Sequence, residues 1–120
     1  MRKRTYLTVL SVLVLALASA LPASAASTSL PQGDGCNGTG NLNQWYGSTV
    51  SSCAYRYIDC YWNRLHGLEH NGDGWVYGTN PTCAAGPGQA LDPVLSAYSY
   101  HSLCAAGGPC SGSVYYMLTQ

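Results

Sequence analysis

Three histidines and five carboxylates are the ionisable side chains from which this sequence could build a reaction. His101 is the first candidate. A histidine can serve as a general base when a rigid element presents it beside a substrate. His66 and His70 are the second, in His66-Gly67-Leu68-Glu69-His70, which matches H-x-x-E-H. On a helix, histidines four apart face one zinc ion, and the glutamate between them activates its water. Gly67 weakens the helix that motif needs, and no third ligand stands downstream at a convincing place, so zinc is the weaker of two metal readings.

The other metal reading is calcium. Glu69-His70-Asn71-Gly72-Asp73-Gly74 looks like the first half of an EF-hand loop, with oxygens at Glu69, Asn71 and Asp73. Position one is Glu in place of Asp, and Asn80 stands where the bidentate Glu belongs. Capped turns at Asn71-Gly72 and Asp73-Gly74 explain the same residues without a metal, and that reading is favoured. No cofactor is therefore expected. A small secreted hydrolase using His101, with or without calcium, stands as the alternative function, but no nucleophile motif such as G-x-S-x-G accompanies it.

The aromatic residues support the preferred reading. The chain has three tryptophans, ten tyrosines and no phenylalanine. Trp45, Tyr46, Trp62, Trp75 and Tyr77, with Asn41, Asn43, Gln44 and Asn63 nearby, suit a surface that stacks on a saccharide or docks a protein. At least half of the aromatic residues are expected in the core, because no phenylalanine is present to fill it. The expected function is extracellular binding through an aromatic-rich surface, as an inhibitor, a toxin-like effector or a glycan binder.

Composition narrows the partners. Charged residues are only 8% of the chain, and three of the five basic ones are Arg2, Lys3 and Arg4. Beyond them Arg56 and Arg64 face Asp34, Asp59, Glu69, Asp73 and Asp92, a balance of three negative charges. Such a chain neutralises few phosphates, which argues against nucleic acid and anionic membranes.

Residues 1–25 read as a secretory signal peptide. A basic start leads into an apolar stretch from Tyr6 to Leu21, and Ala23-Ser24-Ala25 is a small-x-small cleavage site. The stretch is short of the roughly 20 residues a membrane-spanning helix needs, so no span is expected after cleavage. All six cysteines (Cys36, Cys53, Cys60, Cys83, Cys104 and Cys110) lie beyond this site, and none forms a close C-x2-C pair. They read as three disulfides of a small secreted domain, with 15 pairings open. Asn37-Gly38-Thr39 is an N-glycosylation sequon.

The elements that must carry these residues are expected to be few. Residues 26–40, rich in Ser, Thr, Gly and Pro, read as a flexible arm, and 41–120 as a single disulfide-stapled, monomeric domain. Ala54, Ile58, Tyr61, Leu65 and Leu68 recur at spacings of three and four, predicting a helix over about 51–70. Asp92-Pro93 followed by Val94, Ala97, Tyr98, His101 and Cys104 predicts a second over about 93–106. Short strands are expected at Trp75-Val76-Tyr77 and, by a narrower margin, from Val114 to Leu118. The fold class is therefore small, disulfide-rich and mainly α, with a small α+β arrangement as the alternative.

Overall fold

The computed structural model describes residues 25–30, 36–87 and 91–119. The signal-peptide reading of residues 1–25 falls, apart from Ala25, outside the described residues. These form eight strands: β1 (Ala26–Leu30), β2 (Gly38–Leu42), β3 (Tyr46–Ser51), β4 (Tyr55–Arg64), β5 (Gly67–Tyr77), β6 (Thr82–Ala84), β7 (Val94–Cys104) and β8 (Val114–Thr119). Two antiparallel four-stranded sheets result, in the orders β1-β2-β3-β6 and β5-β4-β7-β8. They face one another across a shared core, as the layers of a β-sandwich do.

The mainly helical expectation is overturned, and so is the α+β alternative, because no described residue is helical. The segment 51–70 holds the end of β3, all of β4 and the start of β5. Its period is two, not 3.6. Ile58, Cys60 and Trp62 are buried, while Tyr55, Tyr57, Asp59, Tyr61 and Asn63 alternate with them on the other face. Arg56 and Arg64 disguise the pattern by standing at the two ends of the buried row. Each reaches for acceptors at the sandwich rim: Arg56 donates to Cys53 O and Asn80 Oδ1, and Arg64 to Asp92 O, Gly86 O and the Glu69 carboxylate. Long cationic side chains can lie along a core in this way while their heads stay paired.

The segment 93–106 fails as a helix for a similar reason. In β7 the buried row is Ala97, Ser99, His101 and Leu103, so small polar residues occupy inward positions and blur the alternation. Asp92-Pro93 caps no helix. Asp92 Oδ1 accepts the His66 N–H and Pro93 O accepts the Leu65 N–H, tying the β4–β5 turn to the start of β7. Tyrosine, tryptophan and β-branched residues favour pleated strands over helices. The expected strands at Trp75–Tyr77 and Val114–Leu118 lie within β5 and β8.

The start of the expected loose arm is also sheet. Ala26–Leu30 pairs with Gly38–Leu42 from Ala26↔Leu42 to Leu30↔Gly38. Inside the sandwich, Leu42, Ile58, Trp62, Val94, Ala97 and Leu118 surround Cys60 and Cys83, and a smaller group joins Leu30 and Leu103 to Cys36 and Cys53. The sheets approach closely where β2 and β3 carry glycine. A Cβ on Gly40 would stand 2.8 Å from the His101 ring, and one on Gly47 would stand 2.9 Å from Cys60 Sγ of the facing sheet.

The disulfides are Cys36–Cys53, Cys60–Cys83 and Cys104–Cys110. Cys60–Cys83 bolts the two sheets together through β4 and β6. Three disulfides fit an oxidising, extracellular environment.

Candidate functional site

The outer face of the second sheet carries the most distinctive chemistry. Side chains on one face of a sheet meet across strands. Here His70, Tyr61, Tyr98 and Met117 form one rung across β5, β4, β7 and β8. Asp59, Tyr100 and Tyr115 form the next. Trp75, Tyr57 and Ser102 follow, then Tyr77 opposite Tyr55. Tyr61 is sandwiched between His70 at 4.3 Å and Tyr98 at 4.8 Å, with the planes only 12° and 9° apart. Tyr115 leans on both Tyr98 and Tyr100, and Trp75 lies 5.3 Å from Tyr57.

A β-bulge makes this face continuous. Two β5 residues, Gly72 and Asp73, stand between the partners of Ile58 and Cys60, where β4 has Asp59 alone. The extra residue reverses the phase of the strand. Glu69, Asn71 and Asp73 point towards β6, yet Trp75 and Tyr77 come back to the tyrosine face. Only glycine fits at position 72, because a Cβ there would meet Ile58 O at 2.6 Å. Gly74 then takes φ +67°, the left-handed region that glycine enters without strain.

Asp59 is the acidic centre of the face. Its Oδ2 accepts the Tyr61 hydroxyl at 3.0 Å and the Tyr57 hydroxyl at 3.4 Å, and its Oδ1 contacts His70 Nε2. Enclosure by neighbouring groups raises the pKa of the Tyr57, Tyr61 and Tyr98 phenols, and the Asp59 charge adds to the rise in each. These hydroxyls stay protonated as hydrogen-bond donors at neutral pH.

The residues singled out from sequence are dispersed. Trp75 and Tyr77 join the face, 51% and 68% exposed. Trp45 and Tyr46 lie on the other sheet's side, where Trp45 O accepts the Ala85 N–H and the Arg64 guanidinium sits 6.0 Å from the indole. Trp62 is wholly buried, donating its indole N–H to Asn43 O, and so belongs to the core. Tyr57, Asp59, Tyr61, Tyr98, Tyr100 and Tyr115 were the missed members. Their signal was the period-two tyrosines at 55, 57 and 61 and at 98 and 100, visible once the segments are read as strands.

The calcium candidates stitch the sheets together. Asp73 Oδ2 accepts the Thr82 N–H at 2.8 Å. Asn71 pairs with both N–H and C=O of Ala84, and Glu69 Oε1 accepts the Gly86 N–H. Alternate side chains of β5 thus satisfy alternate backbone groups on and just beyond β6. Glu69 Oε2 also pairs with Arg64 at 2.6 Å. Residues 69–77 are strand, so the expected turns at Asn71-Gly72 and Asp73-Gly74 give way to the bulge. The zinc pair is separated by extended chain, in which residues four apart stand about 13 Å from each other. His66 lies in the β4–β5 turn and His70 on the tyrosine face. Among the described residues, no three His, Cys, Asp or Glu side chains gather as a metal site would require.

His101 lies between the sheets with no exposed surface. Thr49 Oγ1 donates its single proton to Tyr57 O, so it must accept from His101 Nδ1–H at 2.7 Å. Nε2 then accepts from the equally buried Ser99 hydroxyl at 2.7 Å. Desolvation lowers the His101 pKa to about 4, which keeps the ring neutral. The Thr49–His101 bond joins the sheets, the Ser99–His101 bond lies within β7, and both are sealed from solvent among the described residues. No protein-family model matches the chain, and neither a curated protein nor a solved structure matches it.

Proposed function

We propose that this is a secreted binding domain whose tyrosine-paved sheet face docks a partner protein. The observation that carries the reading is the composition and exposure of that face. Tyr55, Trp75, Tyr77, Tyr115 and Met117 are each 43–68% exposed, and a single carboxylate, Asp59, sits among them. Protein interfaces are enriched in tyrosine, tryptophan and methionine and poor in charge at their centres. Tyrosines among serine and asparagine, here Ser96 and Asn63, offer large rigid contact area at low entropic cost. Four strands of this length span about 20 by 30 Å, the scale of one side of a standard protein interface.

Ring geometry favours a protein over a glycan. A sugar stacks on a free aromatic face, whereas the faces of Tyr61 are covered by His70 and Tyr98. Stacked rings that carry phenolic hydroxyls suit hydrogen-bond acceptors and apolar side chains. The three disulfides and the leader-like residues 1–25 support an extracellular setting.

The test is affinity capture from the protein's own extracellular fluid, using wild type, Tyr98→Ser with Tyr115→Ser, and Tyr46→Ser as baits. The expected partner is held by wild type and by Tyr46→Ser, and bound at least ~10-fold more weakly by the double variant. A partner indifferent to the double variant, or lost only with Tyr46→Ser, overturns the assignment of the face. Retention on an insoluble polysaccharide with the same mutational pattern would replace the protein partner with a glycan.

A further inference from the structure

The geometry points to Tyr61 and Tyr98 as a built-in site of oxidative cross-linking, where a peroxidase and hydrogen peroxide join the two rings as dityrosine within one molecule. The two residues are direct register partners on β4 and β7. Their rings stack at 4.8 Å and 9°, the nearest and most parallel tyrosine pair among the ring contacts. Tyr55–Tyr77, Tyr98–Tyr115 and Tyr100–Tyr115 lie at 5.1–5.5 Å and 45–60°. A phenoxyl radical holds spin on its oxygen and on the ring carbons beside it, so coupling needs two Cε atoms to meet. Rotation about the ring torsions of a parallel pair achieves this without moving either strand.

Asp59 supplies the second part of the site. One-electron oxidation of a phenol is easier when its proton leaves along an existing hydrogen bond. The Tyr61 hydroxyl already donates to Asp59 Oδ2 at 3.0 Å. Each tyrosine gives one electron to the oxidant and one phenolic proton, from Tyr61 to Asp59 and from Tyr98 to water. A Cε–Cε bond forms, and the two displaced ring hydrogens return to the oxygens as aromaticity is restored. Hydrogen peroxide takes up two electrons and two protons and leaves as two waters. No free cysteine is present to reduce the radicals first. Met117, the register partner of Tyr98 on β8, is a competing reductant, and its oxidation would add an oxygen atom. This inference does not depend on the binding reading of the face.

The experiment treats dilute protein with a haem peroxidase and hydrogen peroxide, then measures blue dityrosine fluorescence, intact mass and linked peptides. The expected product is a monomer lighter by two hydrogens, with one link joining the peptides of Tyr61 and Tyr98. Tyr61→Phe and Tyr98→Phe keep the ring stack but lack the phenol, and each should abolish that product, while Tyr46→Phe, on the other sheet, should leave it unchanged. The assignment is overturned by a link that survives in Tyr61→Phe or maps to another pair. It is equally overturned by dimers alone, or by oxygen gained at Met117 with no link formed.

Discussion

The two sheets share one core but present unlike outer faces. Across the first, Ser27, Asn41, Ser48 and Thr82 stand side by side, followed by Ser29, Thr39 and Val50. Across the second, the corresponding places hold His70, Tyr61, Tyr98 and Met117, then Asp59, Tyr100 and Tyr115. Small hydroxyl side chains are thus enough to solvate a sheet face in this protein. The rings of the second face are not demanded by folding, since the core is filled by Trp62, Ile58, Leu42, Leu103 and two disulfides. Covering those rings is the role the proposed docking assigns to a partner.

The strongest way to break this comparison is to unlock the sheets from one another. Cys60→Ser with Cys83→Ser removes the bolt between β4 and β6. A native disulfide in a small secreted domain contributes about 2–5 kcal/mol, a large part of a total stability of roughly 5–15 kcal/mol. Both faces should therefore be lost together, as a fall in melting temperature followed by near-ultraviolet circular dichroism. An unchanged melt would mean that the close approach at Gly47 suffices alone.

Acid acts next, through His101. Its folded-state pKa of about 4 lies below the ordinary value of 6.5, so between these limits the unfolded chain takes up a proton that the folded one refuses. Stability should fall as pH drops from about 6.5 to about 4 and level off below, losing roughly 3 kcal/mol through this group. His101→Gln, which cannot titrate, should flatten that part of the melting-temperature profile. A wild-type profile as flat as the variant's would place the ring in contact with water.

Much of this contrast was legible in the residues, but not at helical period. The six cysteines announced three disulfides, and Val114 to Leu118 announced a strand. Between them, Arg56 and Arg64 at the ends of one inward row, and Ser99 and His101 within another, obscured the alternation that defines a strand. The bulge hid the rest. Asn71-Gly72-Asp73-Gly74 has the composition of a turn or a calcium loop, and only the pairing of β4 with β5 makes it a phase shift. Whether Trp62 or Trp75 faces the core likewise depends on register, because a one-residue slip exchanges the faces of a strand.

That phase shift sharpens the comparison at its edge. Gly72→Ala would press a methyl group against Ile58 O, forcing the backbone to move at a cost of about 1–3 kcal/mol. The bulge should relax, turning Trp75 and Tyr77 away from the tyrosine face. A blue shift or quenching change in tryptophan fluorescence, with partner binding weakened but the fold retained, is the expected signature. Ordinary stability and an unaltered spectrum would show that β5 accommodates the methyl group without losing its register.

The smallest effect compares one cross-strand pair from each face. Tyr61 and Tyr98 stack in register on the second sheet, and Asn41 and Ser48 stand in register on the first with a 3.4 Å side-chain hydrogen bond. Double-mutant cycles to alanine isolate each pair's coupling from the loss of the separate side chains. Stacked aromatic pairs contribute about 0.5–1.5 kcal/mol beyond their burial, whereas a partly solvated polar pair exchanges one hydrogen bond for another with water. The tyrosine cycle should therefore show a coupling of about 1 kcal/mol, and the asparagine–serine cycle a value near zero. Equal couplings would mean that the rings are loosely ordered in solution. The second face would then be a mobile surface that a partner must organise, paying in entropy, instead of a rigid one that it meets ready-made.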